Sequence, residues 1–408
     1  MAGSRRLRIL IVHNSYQEHG GEDVVVESEE KLLQAHGHEV RRHSASNAVI
    51  ASTISRVAAA WRVTYSSVER DRLARQIAEW HPDIVHVHNF FPLLSPSIYD
   101  ACIEASVPVV QTLHNFRIFC PGATLYREGN VCEKCLKGSP WWSAWHACYR
   151  GSHIGSAAVA HMVSRHQAAQ TWTQKVDLFI TPSAFAREKF VEAGLPADRI
   201  VVKPNFVPDC PRNFDRLEPR TGALFVGRLV PEKGLTTLLA AWDGTMPMPL
   251  RIAGDGSLRD LVQQAASRSG GQIQYLGHLS RDRIAQEMET TSLLIMASEW
   301  YETFGLVICE AMLRSLPVIA SDIGCLPELI QDGITGLLFR SGDHTHLTAQ
   351  VFRAASNPEA MRTMALRAYE QASTRFTSAA AIVSLLDIYS GLLRRPKTGR
   401  HLPRVVGA

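Results

Sequence analysis

The chain has 408 residues, too many for one ordinary core and suited to two domains of roughly 150 to 200 residues each. Hydrophobic residues make up 46% and charged residues 20%, a globular balance that excludes a disordered or fibrous chain. The net charge of +4, from 43 basic and 39 acidic residues, argues against a nucleic-acid partner, and no run approaches the roughly 18 apolar residues expected of a membrane helix.

The start, "MAGSRRLRILIV", carries only a short apolar run before His13 and Asn14, so it reads as a buried first strand rather than a signal peptide. The expectation is a cytoplasmic chain, working at the inner face of the membrane if its acceptor is lipid-linked. Short β-branched runs then alternate with helical patterns, the signature of parallel βαβ units. Strands are predicted at Leu7 to His13, Ile84 to His88, Val107 to Leu113 and Val176 to Thr181. A proline-containing connector follows, and a second series has strands at Ala223 to Val226, Leu250 to Ala253, Ile273 to Leu276, Leu293 to Met296 and Val318 to Ala320. The predicted plan is α/β, with two Rossmann-like doubly wound domains facing a cleft. Residues 1–199 form the first domain, 200–220 the linker and 221–375 the second domain. A helix over 376–395 and a basic flexible tail over 396–408 complete it. Ligands of open α/β sheets bind outside the carboxyl ends of the strands, so a two-substrate enzyme is the natural use of such a cleft.

Two stretches carry the chemistry. In "ASEWYETFGLVICEAMLRS" a loop holding Glu302 leads into a helix predicted from Gly305 to Arg314, with Glu310 in its early turns. The free N–H groups of that helix start make an anion seat, and Glu302 and Glu310 on either side suit hydroxyl pairs of a sugar nucleotide. Glu310 alone is also what a dipole-stabilising carboxylate looks like. In "FVGRLVPEKGLTTLL" the cations Arg228 and Lys233 follow a buried strand in a loop containing Gly227 and Gly234. Solvated surface is the usual fate of such a pair, but its place at the cleft edge favours phosphate. Two cations and a helix terminus can neutralise a departing diphosphate without Mg²⁺.

Here the sequence resembles the family 4 retaining glycosyltransferases, of GT-B architecture, over nearly its whole length. The resemblance rests on the Glu-x(7)-Glu element in "ETFGLVICEAM", followed by "LPVIASDIGCLPELIQDGITGLLF", and on "GRLVPEKG", "RIAGDG" and "HNSYQEHGGEDVVVESEEKLLQAHGHEV". It implies that Arg228 and Lys233 hold the donor diphosphate, Glu302 contacts the transferred sugar and Glu310 the ribose hydroxyls. Gly20 and Gly21 would approach the donor phosphate. Gly254, Asp255, Gly277, Leu279, Thr303, Phe304, Gly305 and Leu306 would line the rest of the donor site. His114, in "QTLHNF", matches the family position beside the reacting sugar, although taken alone it reads as a structural polar residue. The resemblance further implies transfer with retention from a nucleotide-diphosphate sugar to a glycan or lipid-linked acceptor, in cell-surface polysaccharide or glycolipid assembly. No cofactor is required for that catalysis. The final pattern, "SAAAIVSLLDIYSGLL", is similar to the family's terminal helix, which packs back across the domains.

Directly after His114 come Cys120, Cys132, Cys135 and Cys148, spaced Cys-x(11)-Cys-x(2)-Cys-x(12)-Cys. The central pair has knuckle spacing, so a structural Zn²⁺ site is one reading; free thiols, an iron–sulfur cluster and a disulfide stay open. His146 is a substitute ligand. Beyond lie "PWWSAWHACYRGSHIGS" and neighbouring cations, suited equally to packing the loop, stacking a sugar or making a peripheral membrane contact. Two other functions fit parts of the pattern. One is a same-fold nucleotide-sugar enzyme, epimerase or phosphorylase-like; the other is a non-catalytic zinc-knuckle binding protein.

Overall fold

In the computed structural model, which describes residues 5–15, 20–46, 62–208, 220–242, 244 and 246–394, the apolar runs become the strands of two parallel sheets. The first half contributes β1 (Arg8–Ser15), β2 (Glu39–Ser46), β3 (Ile84–Asn89), β4 (Val109–Thr112), the short pair β5 (Tyr126–Arg127) and β6 (Asn130–Val131), β7 (Leu178–Thr181) and β8 (Ile200–Val202). Its sheet runs β2-β1-β3-β4-β7-β8, and β5–β6 form a separate antiparallel hairpin. The second half contributes β9 (Ala223–Val226), β10 (Leu250–Ala253), β11 (Ile273–Gly277), β12 (Leu293–Met296), β13 (Val318–Ser321) and β14 (Leu337–Phe339), in the order β11-β10-β9-β12-β13-β14. Strands β3, β4, β7, β12 and β13 are buried throughout, as expected when helices cover both faces of a sheet.

Both orders reverse direction next to their first strand, between β1 and β3 in one sheet and between β9 and β12 in the other. Such switch points open a crevice at the carboxyl ends of the strands. The loops after β9 and β12 are those that carry Lys233 and Glu302, so topology alone brings the two motifs together.

The two-domain α/β architecture is the one expected from the sequence. The boundary is later than the linker predicted over 200–220, because β8 pairs with β7 and completes the first sheet. Most of the predicted linker, 209–219, and the basic tail over 396–408 lie outside the described residues. The last helix, Ser378–Arg394, crosses back as expected. Its buried stripe, Ala381, Ile382, Leu385, Tyr389 and Leu392, packs with Leu7, Ile9 and Ile11 of the first domain. The helical stretch Pro358–Arg394 is long and apolar enough, by length and composition, to cross a membrane, against the sequence expectation. In the fold the apolar stripe of 378–394 belongs to the first domain's core, while Met361, Met364, Ala368 and Ala372 pack in the second domain.

Candidate active site

Glu302 stands on the loop after β12 and is almost wholly buried. Two donors hold the same oxygen: Lys233 Nζ lies 2.5 Å from Glu302 Oε1, and Ser298 Oγ donates to it at 2.6 Å. Lys233 ends a single turn of 3₁₀ helix, Pro231–Lys233, and the chain then turns through Gly234 at φ +68°. A Cβ on Gly234 would fall 1.8 Å from the carbonyl oxygen of Ala297, so glycine is what lets the β9 and β12 loops touch. Glu299 N donates to Glu232 O at 2.9 Å, and Thr237 Oγ1 to Glu299 Oε1 at 2.6 Å, tying the same loops together. From the β13 side Gly324, at φ +62°, passes so near that a Cβ would lie 2.8 Å from Glu302 N. Three loops thus converge on one carboxylate. Arg228, by contrast, is mostly exposed, with Glu232 3.6 Å from its guanidinium.

The remaining predicted donor residues divide by their surroundings. Gly305 precedes the helix Leu306–Met312, shorter than the predicted span to Arg314, and Glu310 sits on it half-buried. Burial pushes the Glu310 carboxyl up, and Arg314 and Arg281 work against that shift. The Phe304 side chain is part of the core, edge-on to Phe376, so only its backbone can serve a ligand. Thr303 donates from Oγ1 to His114 O at 2.8 Å and accepts at its own carbonyl from Ser183 Oγ at 2.8 Å. Gly254 is required by packing, since a Cβ there would meet Gly227 O at 1.9 Å, and Asp255 is exposed beside it. Gly277 ends β11 at φ +71° and accepts from Gly254 N, and Leu279 lies half-buried just beyond.

Across the cleft, His114 follows β4 and is buried, its Nε2 3.0 Å from His88 Nδ1. Burial, reinforced by His13, His86 and Lys203, pulls its pKa down to about 3, so it is a neutral imidazole. Asn115 Nδ2 donates to Glu22 Oε1 at 2.6 Å, docking the β4 loop on the start of the helix Gly21–Ala35. Gly20 caps that helix, its N–H donating to Asp23 Oδ2 at 2.9 Å, while Asp23 Oδ1 lies 2.8 Å from His13 Nε2. A Cβ on Gly21 would meet nothing within 4 Å, so internal packing does not demand glycine at this helix start.

Two family models divide the chain between them. "Glycosyltransferase Family 4" matches residues 19–209 and "Glycosyl transferases group 1" matches residues 212–371. The chain belongs to glycosyltransferase family 4. This glycosyltransferase is 28% identical to the glycogen synthase of Mycobacterium tuberculosis over 323 residues, 76% of its own length and 69% of the relative's. It is 26% identical to the alpha-D-kanosaminyltransferase of Streptomyces kanamyceticus over 329 residues, 78% and 79% of the two chains. Among solved structures, Anabaena HepE in complex with UDP-glucose superposes with a TM-score of 0.68 at 19% identity, covering 95% of this chain and all of that one. The GT-B fold expected from the sequence is thereby the observed one.

Several groups of the glycosyltransferase's cleft escaped the sequence reading. Ser298, four residues before Glu302, gave no signal beyond its place after a strand. Beneath His114 lies a buried polar cluster: Lys203 Nζ donates to Glu29 Oε1 at 2.6 Å, and Glu29 Oε2 is 3.6 Å from His88 Nε2 and 3.9 Å from His86 Nδ1. His86 also meets Tyr389 OH at 2.7 Å and Thr112 Oγ1 at 2.8 Å. Glu29, His86 and His88 are the one trio of metal-capable groups within 4.8 Å of one another among the described residues. The Lys203 ammonium already supplies the cation there.

Proposed function

We propose that this chain is a retaining glycosyltransferase that moves a sugar from a nucleotide-diphosphate sugar onto a glycan or lipid-linked acceptor, with no metal in the chemical step. The observation that carries this reading is the Lys233–Glu302 pair at the β9/β12 switch point, facing neutral His114 across a cleft that Thr303 bridges. Lys233 and Arg228 would take the diphosphate and Glu310 the ribose hydroxyls, while Glu302 and His114 would bind hydroxyls of the transferred sugar. A neutral imidazole can donate or accept one such bond without placing a charge beside the reacting carbon.

In the step itself the bond between the anomeric carbon and the phosphate oxygen breaks. The acceptor oxygen bonds to the same face of that carbon, and its proton passes to the departing phosphate oxygen. Catalysis then rests on positioning and on charge stabilisation at the leaving group. The cytoplasmic face of a membrane is the proposed workplace, in surface polysaccharide or glycolipid assembly. Exposed Trp141, Trp142, Trp145 and Ile154, with Arg150 among them, support a peripheral lipid contact.

Calorimetric titration with UDP- and GDP-sugars tests the donor site. One nucleotide class should bind selectively, and Lys233→Ala and Glu310→Ala should each weaken it. A folded chain that binds neither class, with or without added acceptor, would sink the reading. Sedimentation with anionic vesicles tests the membrane part separately, and Trp145→Ser should lower the bound fraction.

A further inference from the structure

Sugar transfer as described makes no use of the four-cysteine segment, whose fold asks for an explanation. It has little regular structure, only the two-residue strands β5 and β6 and the four-residue helix Trp142–Trp145. Yet of the ten non-glycine residues with positive φ among the described residues, four lie here, Ala123, Leu125, Glu128 and Ala147, and a fifth, Arg150, follows just beyond. Each left-handed residue costs about 1–2 kcal/mol, which a loop with so few ladder bonds must recover from another source.

Cys120 and Cys148 meet at Gly122. A Cβ on Gly122 would lie 3.7 Å from Cys120 Sγ and 3.5 Å from Cys148 Cβ. Cys120 and Cys135 are buried, and Cys132 and Cys148 are half-buried. Ala123 N donates to Cys120 O at 2.7 Å, closing a tight turn on Cys120. Between the central cysteines the chain makes a tight turn, with Leu136 N and Lys137 N both donating to Glu133 O, at 3.0 and 3.1 Å. Arg127 Nη1 lies 3.3 Å from His146 Nδ1, and Arg117 donates to the Pro121 carbonyl, so two cations border the segment and would offset a site of net negative charge. The sulfurs do not themselves form a trio within 4.8 Å, so an ion would draw them inward from their present spacing.

The turn between Cys132 and Cys135 reaches the other domain. Tyr301, the residue before Glu302, donates from its hydroxyl to Glu133 Oε1 at 3.1 Å. Lys189 Nζ is 2.8 Å from the same oxygen, and Phe185 packs edge-on to Tyr301 at 4.8 Å between centroids. The cysteine segment therefore touches the loop that carries Glu302.

We propose that Cys120, Cys132, Cys135 and Cys148 bind one Zn²⁺ as four thiolates, and that the knuckle so closed holds Glu133 against Tyr301, positioning the Glu302 loop across the cleft. Four sulfur donors in a short, loop-rich segment select a tetrahedral, thiophilic ion, and the four thiol protons pass to solvent on binding. The positioning role rests on the glycosyltransferase reading; the metal site does not.

The full-length chain, purified without chelator, is assayed by elemental analysis, thiol titration in denaturant, and cobalt exchange. The expected result is one zinc per chain, lost in Cys135→Ser, with cobalt giving the visible bands of a tetrahedral thiolate site. Should Cys135→Ser fail to fold, chelation of the wild-type chain replaces it, and amide exchange in residues 120–148 should then rise. A metal-free chain with all thiols free, or a disulfide within the segment, overturns the site. Tyr301→Phe should keep its zinc and its nucleotide affinity but lose about tenfold in kcat, the worth of one hydrogen bond to a charged group. An unchanged kcat overturns the positioning role and leaves the metal site standing. A zinc-bearing chain that binds no nucleotide sugar would count against the proposed function alone.

Discussion

Replacing Lys203 by Met should nearly unfold the first domain. Its ammonium lies 2.6 Å from Glu29 Oε1, and the two side chains are only 2% and 1% exposed. The neighbours of Glu29 cannot take over the counter-charge, because burial holds His86 down at about 4 and pushes His88 well down too, so both are neutral imidazoles near pH 7. Removing one partner of such a pair strands the other charge and costs about 3–5 kcal/mol, a large part of the roughly 5–15 kcal/mol that stabilises a domain. Glu29→Gln should cost a similar amount for the mirror-image reason. The double variant Glu29→Leu/Lys203→Met removes both charges at similar volume, so its loss should fall well short of the sum, with a coupling of about 2 kcal/mol or more. Urea unfolding followed by tryptophan fluorescence reads this out, since Trp80, Trp141, Trp142, Trp145 and Trp172 all belong to the first domain. Single variants each costing under about 1 kcal/mol and adding without coupling would show that water already screens the pair, and the argument from burial would fail.

The same cluster sets a pH dependence. His86 at about 4 and His114 at about 3 lie below the unfolded value near 6.5, so protonation favours the unfolded chain. Stability is fully present above about pH 6.5 and is lost as pH falls toward 4. Thermal unfolding between pH 7 and 4 should show that slope, and His114→Asn should flatten it. Gly234→Ala should part the loops around Lys233 and weaken nucleotide-sugar binding at least tenfold by calorimetry. Gly37→Ala, at φ +83° with open space around it, should cost only the roughly 1–2 kcal/mol of a left-handed residue and leave affinity unchanged. Ser298→Ala removes one of the two bonds on Glu302 Oε1 and should lower kcat about tenfold, with Ser298→Thr restoring part of it.

The central strands were legible because they are buried on both faces and read as continuous apolar runs. The misses share a place in the fold: β2, β8 and β14 are sheet edges, and β5 and β6 pair only with each other. The edge strand β2, "EVRRHSAS", carries arginines and serines that a central strand would not tolerate, while β8 and β14 are three residues each. At the site, Glu302 and Lys233 could be found because each sits in a local motif following a strand. Glu29 with Lys203, and Glu133 with Tyr301, could not. Their partners are 174 and 168 residues apart in sequence, and no local pattern announces a pairing made only by long-range packing, within the first domain for one and between the two domains for the other.

The last helix changes how the molecule must be made. Residues 378–394 fill the face formed by Leu7, Ile9, Ile11, Val110, Leu178 and Ile180, and Tyr389 closes on His86. During synthesis that face stays open until residues 378–394 have left the ribosome, so the first domain begins to fold before the second and is completed after it. A chain cut after Pro208 would carry an uncovered apolar strip, whereas one rejoined so that 378–394 preceded Arg5 would hold every piece of the first domain in one continuous stretch.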